Sequence, residues 1–460
     1  MSTHEPSRRT FLKSTLGAGA AATGLAACAS VGTGKTRRAP RGARYMGDFA
    51  AEPMDTVRMG FIGVGARGPG HLNNAMKCEG VEVVAICDNH APAAERWAKH
   101  VADAGRPAPK TYTDGDEDFL RMLAENDLDA VVISTPWRWH APMGVATMQA
   151  GAHAFIEVPI ALTTDEMWDL VDASEVSGRH CMMMENVNYG RDELLFLNMV
   201  RAGLLGELTH GEAAYIHDLR FQMKEIERGT GSWRTFHHAG RDGNLYPTHG
   251  LGPVAQYMNL ERGEDRFDRL VSFSSPALGR AQFAHDTWPA DHERNQLTYT
   301  CGDMSTALVK THLGRTIVVQ HDTTSPRPYD RLNLISGTRG TMAGFPTRIA
   351  LDPEGKGAHG WVKGEGLTEI RAQWDHPMYT RLAQAAEGGG HGGMDFIMMW
   401  RMITCLREGE PLDQNVYEGC AWSAVSPLSE WSVANGGAPA EFPDFTRGRW
   451  RETKPLGIVG

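Results

Sequence analysis

The chain has 460 residues, with 46 Lys and Arg against 56 Asp and Glu, 41% hydrophobic and 22% charged residues, 52 Gly and 7 Cys. At roughly 100–200 residues per domain this is room for two to four domains with ordinary cores, which excludes fibrous, disordered and small disulfide-framework proteins. A net charge of -10 and a pI of about 6.0 give no broad basic field for a phosphate backbone, so no nucleic-acid partner is expected.

The N-terminus reads as an address. Ser7-Arg8-Arg9-Thr10-Phe11-Leu12-Lys13, followed by the mildly apolar run Ser14 to Ala27, matches the bacterial twin-arginine export signal over residues 1–27. The run is too short and too weakly apolar to span about 30 Å of hydrocarbon. Leu25-Ala26-Ala27-Cys28 also resembles a lipobox, in which a lipid on Cys28 would tether the protein to a membrane, while Ala-x-Ala cleavage in the same stretch is the competing reading. Either way the expected destination is the periplasm, free or as an anchored lipoprotein. Residues 28–55 have no hydrophobic period and read as a linker.

The next segment, residues 56–190, carries a dinucleotide signature. The apolar run Val57 to Ile62 enters Gly63-Val64-Gly65-Ala66-Arg67-Gly68, a Gly-x-Gly-x-x-Gly between a strand and a helix. The first glycine permits the tight turn, the second lets the backbone approach a pyrophosphate, and the third lets the helix pack on the sheet. A second run, Val81 to Cys87, ends in Asp88, where a carboxylate can accept both hydrogen bonds of an adenosine ribose and would repel a 2′-phosphate, favouring NAD. The competing reading of Asp88 is a helix N-cap. Strand-like runs at Asp129–Pro136 and Ala152–Pro159, with a helix through Pro142–Ala150 between them, continue the alternation of a doubly wound parallel sheet. Ligands sit beyond the carboxyl ends of such strands. That places Gly63–Gly68, Trp137-Arg138-Trp139-His140 and Glu157-Val158-Pro159 at the cofactor. The run His180–Asn186 ends the sheet and brings Asn186 and Tyr189 to the same rim. Core packing is the alternative for Trp137 and Trp139.

From residue 191 to 460 the alternating stretches Leu208–Leu219, Leu297–Leu308 and Arg315–His321 predict a second, sheet-containing α+β domain, and residues 439–460 an extended tail. Asp395 is expected to cap a helix over Phe396–Leu406. His237-His238 and His391 with Asp395 lack the paired spacing of a zinc site, so no metal is expected. With Cys28 assigned to the signal or anchor, Cys78, Cys87, Cys181, Cys301, Cys405 and Cys420 read as buried thiols.

These residues resemble the sugar oxidoreductases that include glucose-fructose oxidoreductase and inositol dehydrogenase, which pair a Rossmann domain with an α+β domain built on an open, mostly antiparallel sheet. Glu-Lys-Pro and Asp-x-x-x-His are the marks of that group; here they are Glu157-Val158-Pro159 and Leu245-Tyr246-Pro247-Thr248-His249. Both departures, together with Met182-Met183-Met184-Glu185-Asn186, Asn188-Tyr189-Gly190-Arg191 and Gly390-His391-Gly392-Gly393-Met394-Asp395, resemble glycoside hydrolase family 109, the NAD-dependent α-N-acetylgalactosaminidases. The resemblance implies oxidation at C3 of the sugar, loss of the C2 proton and the C1 aglycone, addition of water, and return of the hydride. On that scheme His249 handles the C3 hydroxyl proton, because imidazole titrates near neutrality. Tyr189 is the expected base at C2 with Tyr246 as its substitute, and Glu157 orients substrate hydroxyls or the nicotinamide ribose. Tyr215, Arg234, Tyr246, His249 and Tyr329 are expected to bind a glycan with terminal α-N-acetylgalactosamine, and a homo-oligomer is left open. A plain exported sugar dehydrogenase and a non-catalytic sugar- or NAD-binding protein are the alternatives.

Overall fold

The computed structural model describes residues 34–459; the twin-arginine stretch and Cys28 lie outside the described residues. The first half contains β1 (Val57–Ile62), α1 (Gly68–Lys77), β2 (Val81–Cys87), α2 (Ala91–Asp103), β3 (Lys110–Tyr112), α3 (Phe119–Glu125), β4 (Ala130–Ile133), α4 (His140–Gln149), β5 (His153–Ile156), α5 (Thr164–Ser177) and β6 (Cys181–Met183). The six strands pair in the order β3-β2-β1-β4-β5-β6, every neighbour parallel. Near-continuous apolar runs suit strands covered on both faces. Register lines up Ile62 with Cys87 and Ile133, Ile133 with Ile156, and Ile156 with Met183, so the carboxyl ends of five strands form one edge.

The second half supplies α6 (Arg191–Arg201), β7 (Leu208–Ile216), α7 (Thr230–Gly240), α8 (Thr248–Tyr257), β8 (Phe267–Ser274), α9 (Gly279–Thr287), β9 (Ser305–Thr311), β10 (Thr316–Asp322), β11 (Leu334–Gly337), β12 (Gly340–Ala343), β13 (Arg348–Leu351), α10 (Glu365–Trp374), α11 (Pro377–Leu382), α12 (Met394–Glu408), α13 (Val416–Ala434) and β14 (Ala440–Glu441). Its eight strands run β13-β12-β11-β7-β10-β9-β8-β14, antiparallel except for the β7/β10 pair. The α/β plus open α+β architecture is the one the sequence predicts. No helix among the described residues is long and apolar enough to cross a membrane.

Packing crosses the boundary placed at residue 190: α12 lies against α1 and β1, and its Met398, Met399, Met402, Ile403 and Leu406 share a core with Val57, Met59 and Leu72. Two sequence expectations are corrected. The described part of the linker is packed down, because it carries groups that find partners. Met46 and Ala51 are buried, Tyr45 stacks on Tyr417 with centroids 5.0 Å apart, and Arg37 pairs with Asp169 and Asp172 of α5. The strand expected from Leu297 starts only at Ser305, since the preceding loop is committed to α7: the amides of Thr300 and Cys301 both donate to the His238 carbonyl.

The tail returns to the first half. Phe442 stays on the second half, stacked on Phe267 of β8, but Phe445 packs on Trp168 at 4.8 Å and Arg447 pairs with Glu175, both on α5. All six cysteines among the described residues are buried and free, and burial pushes the thiols of Cys78, Cys87 and Cys301 up to about 12.

Candidate active site

A cavity of about 1260 Å³ opens at the aligned strand ends and is roofed by the second sheet domain. Ligand pockets usually hold roughly 300–1,000 Å³, so this one has room for more than one molecule. Its floor is the glycine turn. Gly63 has φ +84°, and a Cβ there would lie 2.6 Å from the Ser134 carbonyl oxygen. Gly68 does not face the cavity; a Cβ on it would sit 1.9 Å from the Gly63 carbonyl, so its bareness lets α1 close onto the turn. Asp88 accepts from the amide of Val64 at 2.9 Å and from that of His90 at 2.9 Å. His90, not Asp88, occupies the N-cap position of α2, so the capping alternative falls away.

An ion-pair chain crosses between the two halves of the molecule beside this turn. Arg67 Nε donates to Glu157 Oε1 at 3.0 Å, and its two terminal nitrogens donate to the two oxygens of Asp395 at 2.7 and 2.9 Å. Glu157 Oε1 also bonds His71 Nε2 at 2.6 Å, while Asp395 takes Asn186 Nδ2 at 2.6 Å and His391 Nδ1 at 2.8 Å. Burial alone would raise both carboxyl pKa values. The Arg67 guanidinium with His71 on one side and His391 on the other overcomes this and holds both well below the usual carboxylate range. Asp395 is therefore not the expected helix cap: it makes no capping bond to α12, because Arg67 claims both its oxygens. Arg67→Ala would remove the guanidinium shared by two buried carboxylates, leaving Glu157 to His71 and Asp395 to His391 and Asn186. A loss of about 3–5 kcal/mol in urea unfolding is expected, part of it recovered in Arg67→Ala/Asp395→Asn.

The chemistry-bearing cluster lies deeper. His249, in the first turn of α8, bonds through Nδ1 to Glu185 Oε1 at 2.6 Å, and the Glu185 side chain is fully buried. A carboxylate is acceptor only, so the proton sits on Nδ1 and the Nε2 lone pair is left for a ligand. Beside it stand the rings of Tyr246 at 4.9 Å and Tyr215 at 5.3 Å. Burial pushes both phenols up, Tyr215 to about 12 and Tyr246 well above the ordinary value, with Arg234 pulling the other way. The Arg234 guanidinium lies over the rings of Trp137, Trp233 and Tyr246 at 5.0, 5.3 and 5.4 Å, and its Nε has no partner among the described residues.

Of the residues singled out from sequence, Gly63, Gly65, Ala66, Arg67, Asp88, Trp137, Trp139, His140, Glu157, Val158, Asn186, Tyr215, Arg234, Tyr246 and His249 line this cavity. Tyr189 does not. It is buried on the far side of the 3₁₀ turn Asn186–Tyr189, with its hydroxyl donating to Asp413 at 3.3 Å, so it is out of reach of a ligand among the strand ends. Tyr329 stands outside the lining, edge-on to His217 at 5.0 Å, and its hydroxyl accepts from Arg331. His140 lines the wall, but its two ring nitrogens face the carbonyl oxygens of Pro159 and Thr135, at 2.7 and 2.9 Å; burial keeps the ring neutral, so it donates to one of them and neither nitrogen is turned to a cofactor. Glu185, His217, Trp233 and His237 are parts of the site that residue-by-residue sequence reading did not select. For Glu185 the signal was present: it lies two residues past the last strand of a sheet whose strand ends hold the ligand.

The residues fit a dinucleotide. Gly65 leaves the turn bare, Asp88 offers a carboxylate one strand away, and at the other end Ser134 Oγ and Asn186 Oδ1 are buried with no partner among the described residues. A doubly wound sheet whose strand ends open into a cavity capped by an open-sheet domain defines the nicotinamide-binding oxidoreductase architecture. Residues 57–185 match the model of the oxidoreductase family with an NAD-binding Rossmann fold, and residues 189–452 match the C-terminal domain of glycosyl hydrolase 109. A glycosyl hydrolase family 109 protein of Shewanella amazonensis is 58% identical over 455 residues, covering 98% of this chain and 99% of that protein. An alpha-N-acetylgalactosaminidase of Shewanella oneidensis is 55% identical over 463 residues, covering 99% and 100%. Among solved structures, the WlbA dehydrogenase of Bordetella pertussis in complex with NADH and UDP-GlcNAcA shares the fold, with a TM-score of 0.61, 16% identity and coverage of 85% of this chain and 99% of that one. The chain belongs to glycosyl hydrolase family 109 and is a glycoside hydrolase that binds a nicotinamide cofactor.

Proposed function

We propose that the protein removes terminal α-N-acetylgalactosamine from glycans with NAD as a recycled cofactor, and that it does so after export by the twin-arginine route, free in the periplasm or tethered through Cys28. The name and 55% identity of the Shewanella oneidensis relative support the substrate. The observation that carries the chemistry is the Glu185–His249 dyad beside Tyr246, in a cavity whose candidate acid is unfit for ordinary glycoside hydrolysis. Two-carboxylate glycosidases need one carboxylic acid held protonated near neutrality. Glu157 is held the other way, as a carboxylate, by Arg67 and His71.

The glycine turn and Asp88 would hold the pyrophosphate and adenosine ribose, and Asp88 favours NAD over a 2′-phosphorylated cofactor. When bound, NAD⁺ supplies a hydride acceptor for C3 and gives the hydride back at the end. His249 Nε2 takes the C3 hydroxyl proton, with Glu185 stabilising the imidazolium that results. The C3 carbonyl acidifies C2, and Tyr246 takes that proton as the C1 aglycone leaves. Burial holds Tyr246 as the neutral phenol, so it must first give up its own proton to serve as this base; Arg234, over its ring, offsets part of that cost. Trp137, Tyr215 and Arg234 position the sugar; water then adds its oxygen at C1, Tyr246 returns a proton to C2, and the proton freed from the water neutralises the departed aglycone.

A chromogenic α-N-acetylgalactosaminide, given in D₂O without added cofactor, tests the scheme. Release of dye with deuterium at C2 of the sugar is expected; protium retained at C2 in all the product would overturn elimination. A net oxidised sugar would favour the dehydrogenase reading instead.

A further inference from the structure

One residue of the second domain crosses the cleft at the nucleotide end of the cavity. Arg228, in the loop before α7, donates from Nη2 to Asp88 Oδ1 at 3.0 Å, and a Cβ on Gly65 would lie 3.2 Å from the same Nη2. A single guanidinium thus reaches from the carboxylate suited to a ribose to the bare backbone suited to a diphosphate. The loop that presents it is fixed. Gly231 N donates to Glu225 Oε2 at 2.7 Å, and the fully buried Arg294 donates to the carbonyls of Met223 and Glu225 at 3.3 and 3.2 Å, pinning the loop on its inner side. Arg228 itself remains nearly half exposed, with a side-chain accessibility of 45% against 5% for Asp88, so it can turn without disturbing the core.

We infer that Arg228 is a latch that keeps the dinucleotide resident. With cofactor in place, Asp88 takes the ribose hydroxyls and the guanidinium takes the adjacent diphosphate, a planar fork matched to phosphate oxygens. The cofactor is then held by both halves of the molecule and cannot leave unless Arg228 lets go. This rests on the reading that the cofactor is regenerated in every cycle: a dehydrogenase that exchanges its cofactor loses by such a latch, whereas an enzyme that returns the hydride does not.

The test is cofactor release. Full-length protein loaded with NAD is diluted, and dissociation is followed by the recovery of tryptophan fluorescence, for which Trp137, Trp139 and Trp233 lie in the cavity wall. Arg228→Ala should release NAD at least about tenfold faster, and Arg228→Lys should fall between. Thermal melting without cofactor separates retention from a merely structural ion pair. A lowered melting temperature with an unchanged release rate would overturn the latch. Wild-type protein that never retains nicotinamide would overturn the recycling reading beneath it, a result distinguishable from retained NAD that leaves both proteins at the same rate.

Discussion

Glu185→Gln should lower kcat by roughly 10²–10⁴ with little change in KM, and His249→Ala should abolish transient reduction of the bound nicotinamide altogether. The effect is large because Glu185 acts through its charge and its acceptor-only character. A glutamine of nearly the same shape can present its NH₂ to Nδ1, which drives the proton to Nε2 and leaves no lone pair facing the sugar. Glu185 touches no ligand, since its side chain is buried behind His249, so a loss confined to kcat would identify it as the positioning residue. Single-turnover absorbance of the reduced nicotinamide separates the steps. Tyr246→Phe should still reduce the cofactor on mixing with the sugar but stall before aglycone release. A Glu185→Gln enzyme within about threefold of wild type would remove the dyad from the mechanism.

Acid should unfold the protein well above the carboxylate range. Burial lowers the pKa of His153 and His321 to about 3 and pushes His180 and His238 well below the ordinary value; neighbouring arginines add to the effect. His153 Nδ1 accepts from the His180 amide at 2.9 Å, a bond only the form unprotonated at that nitrogen can make. Each imidazole titrates near 6.5 in the unfolded chain, so between there and pH 3 the unfolded chain binds more protons. Their contribution is whole above about pH 6.5 and is lost as pH falls below it. At about 1.4 kcal/mol per pH unit and group, His153 and His321 together remove on the order of 3 kcal/mol per unit, against a total stability of about 5–15 kcal/mol. The buried Glu261 carboxyl, pushed up to about 8, returns about half of that until its unfolded value near 4 is reached. Glu157 and Asp395, with depressed folded values, contribute above their unfolded range near pH 4 and begin to lose that support only below it. The transition should therefore start between about pH 6 and 4. Urea melts across that range check it, and His321→Gln should flatten the slope. Unchanged stability down to pH 4 would show the imidazoles to be protonated when folded.

What was legible from sequence follows from range of action. The glycine turn, the strand runs and Asp88 are local statements, each fixed by backbone sterics or periodicity within a few residues, and they place the cavity. Val158 and Leu245, at the positions where the wider group carries Lys and Asp, pointed to a different chemistry, and both are buried apolar side chains in the structure. Tyr189 was misplaced because a sequence says that a chain passes a rim but not which way a 3₁₀ turn leaves it. Asn186 stays at the cavity while Tyr189, three residues on, enters the pocket beside Asp413. The Glu185 partnership with His249 and the Arg67 bridge to Asp395 join residues 64 and 328 positions apart, which no local pattern encodes. The helix Met394–Glu408 was recognised as a helix, but its apolar face does not say which sheet it will cover.

That helix bears on how the protein is made. A ribosome delivers Val57–Met183 long before Met394–Glu408, and until the latter arrives the apolar surface of α1 and β1 that receives Met398, Met402 and Ile403 stays uncovered. The nucleotide-binding half cannot be completed ahead of the rest, as the first domain of a beads-on-a-string protein can. Nascent chains stalled short of residue 394 should be chaperone-bound and protease-sensitive throughout, and cofactor loading becomes one of the last events in the life of the nascent chain.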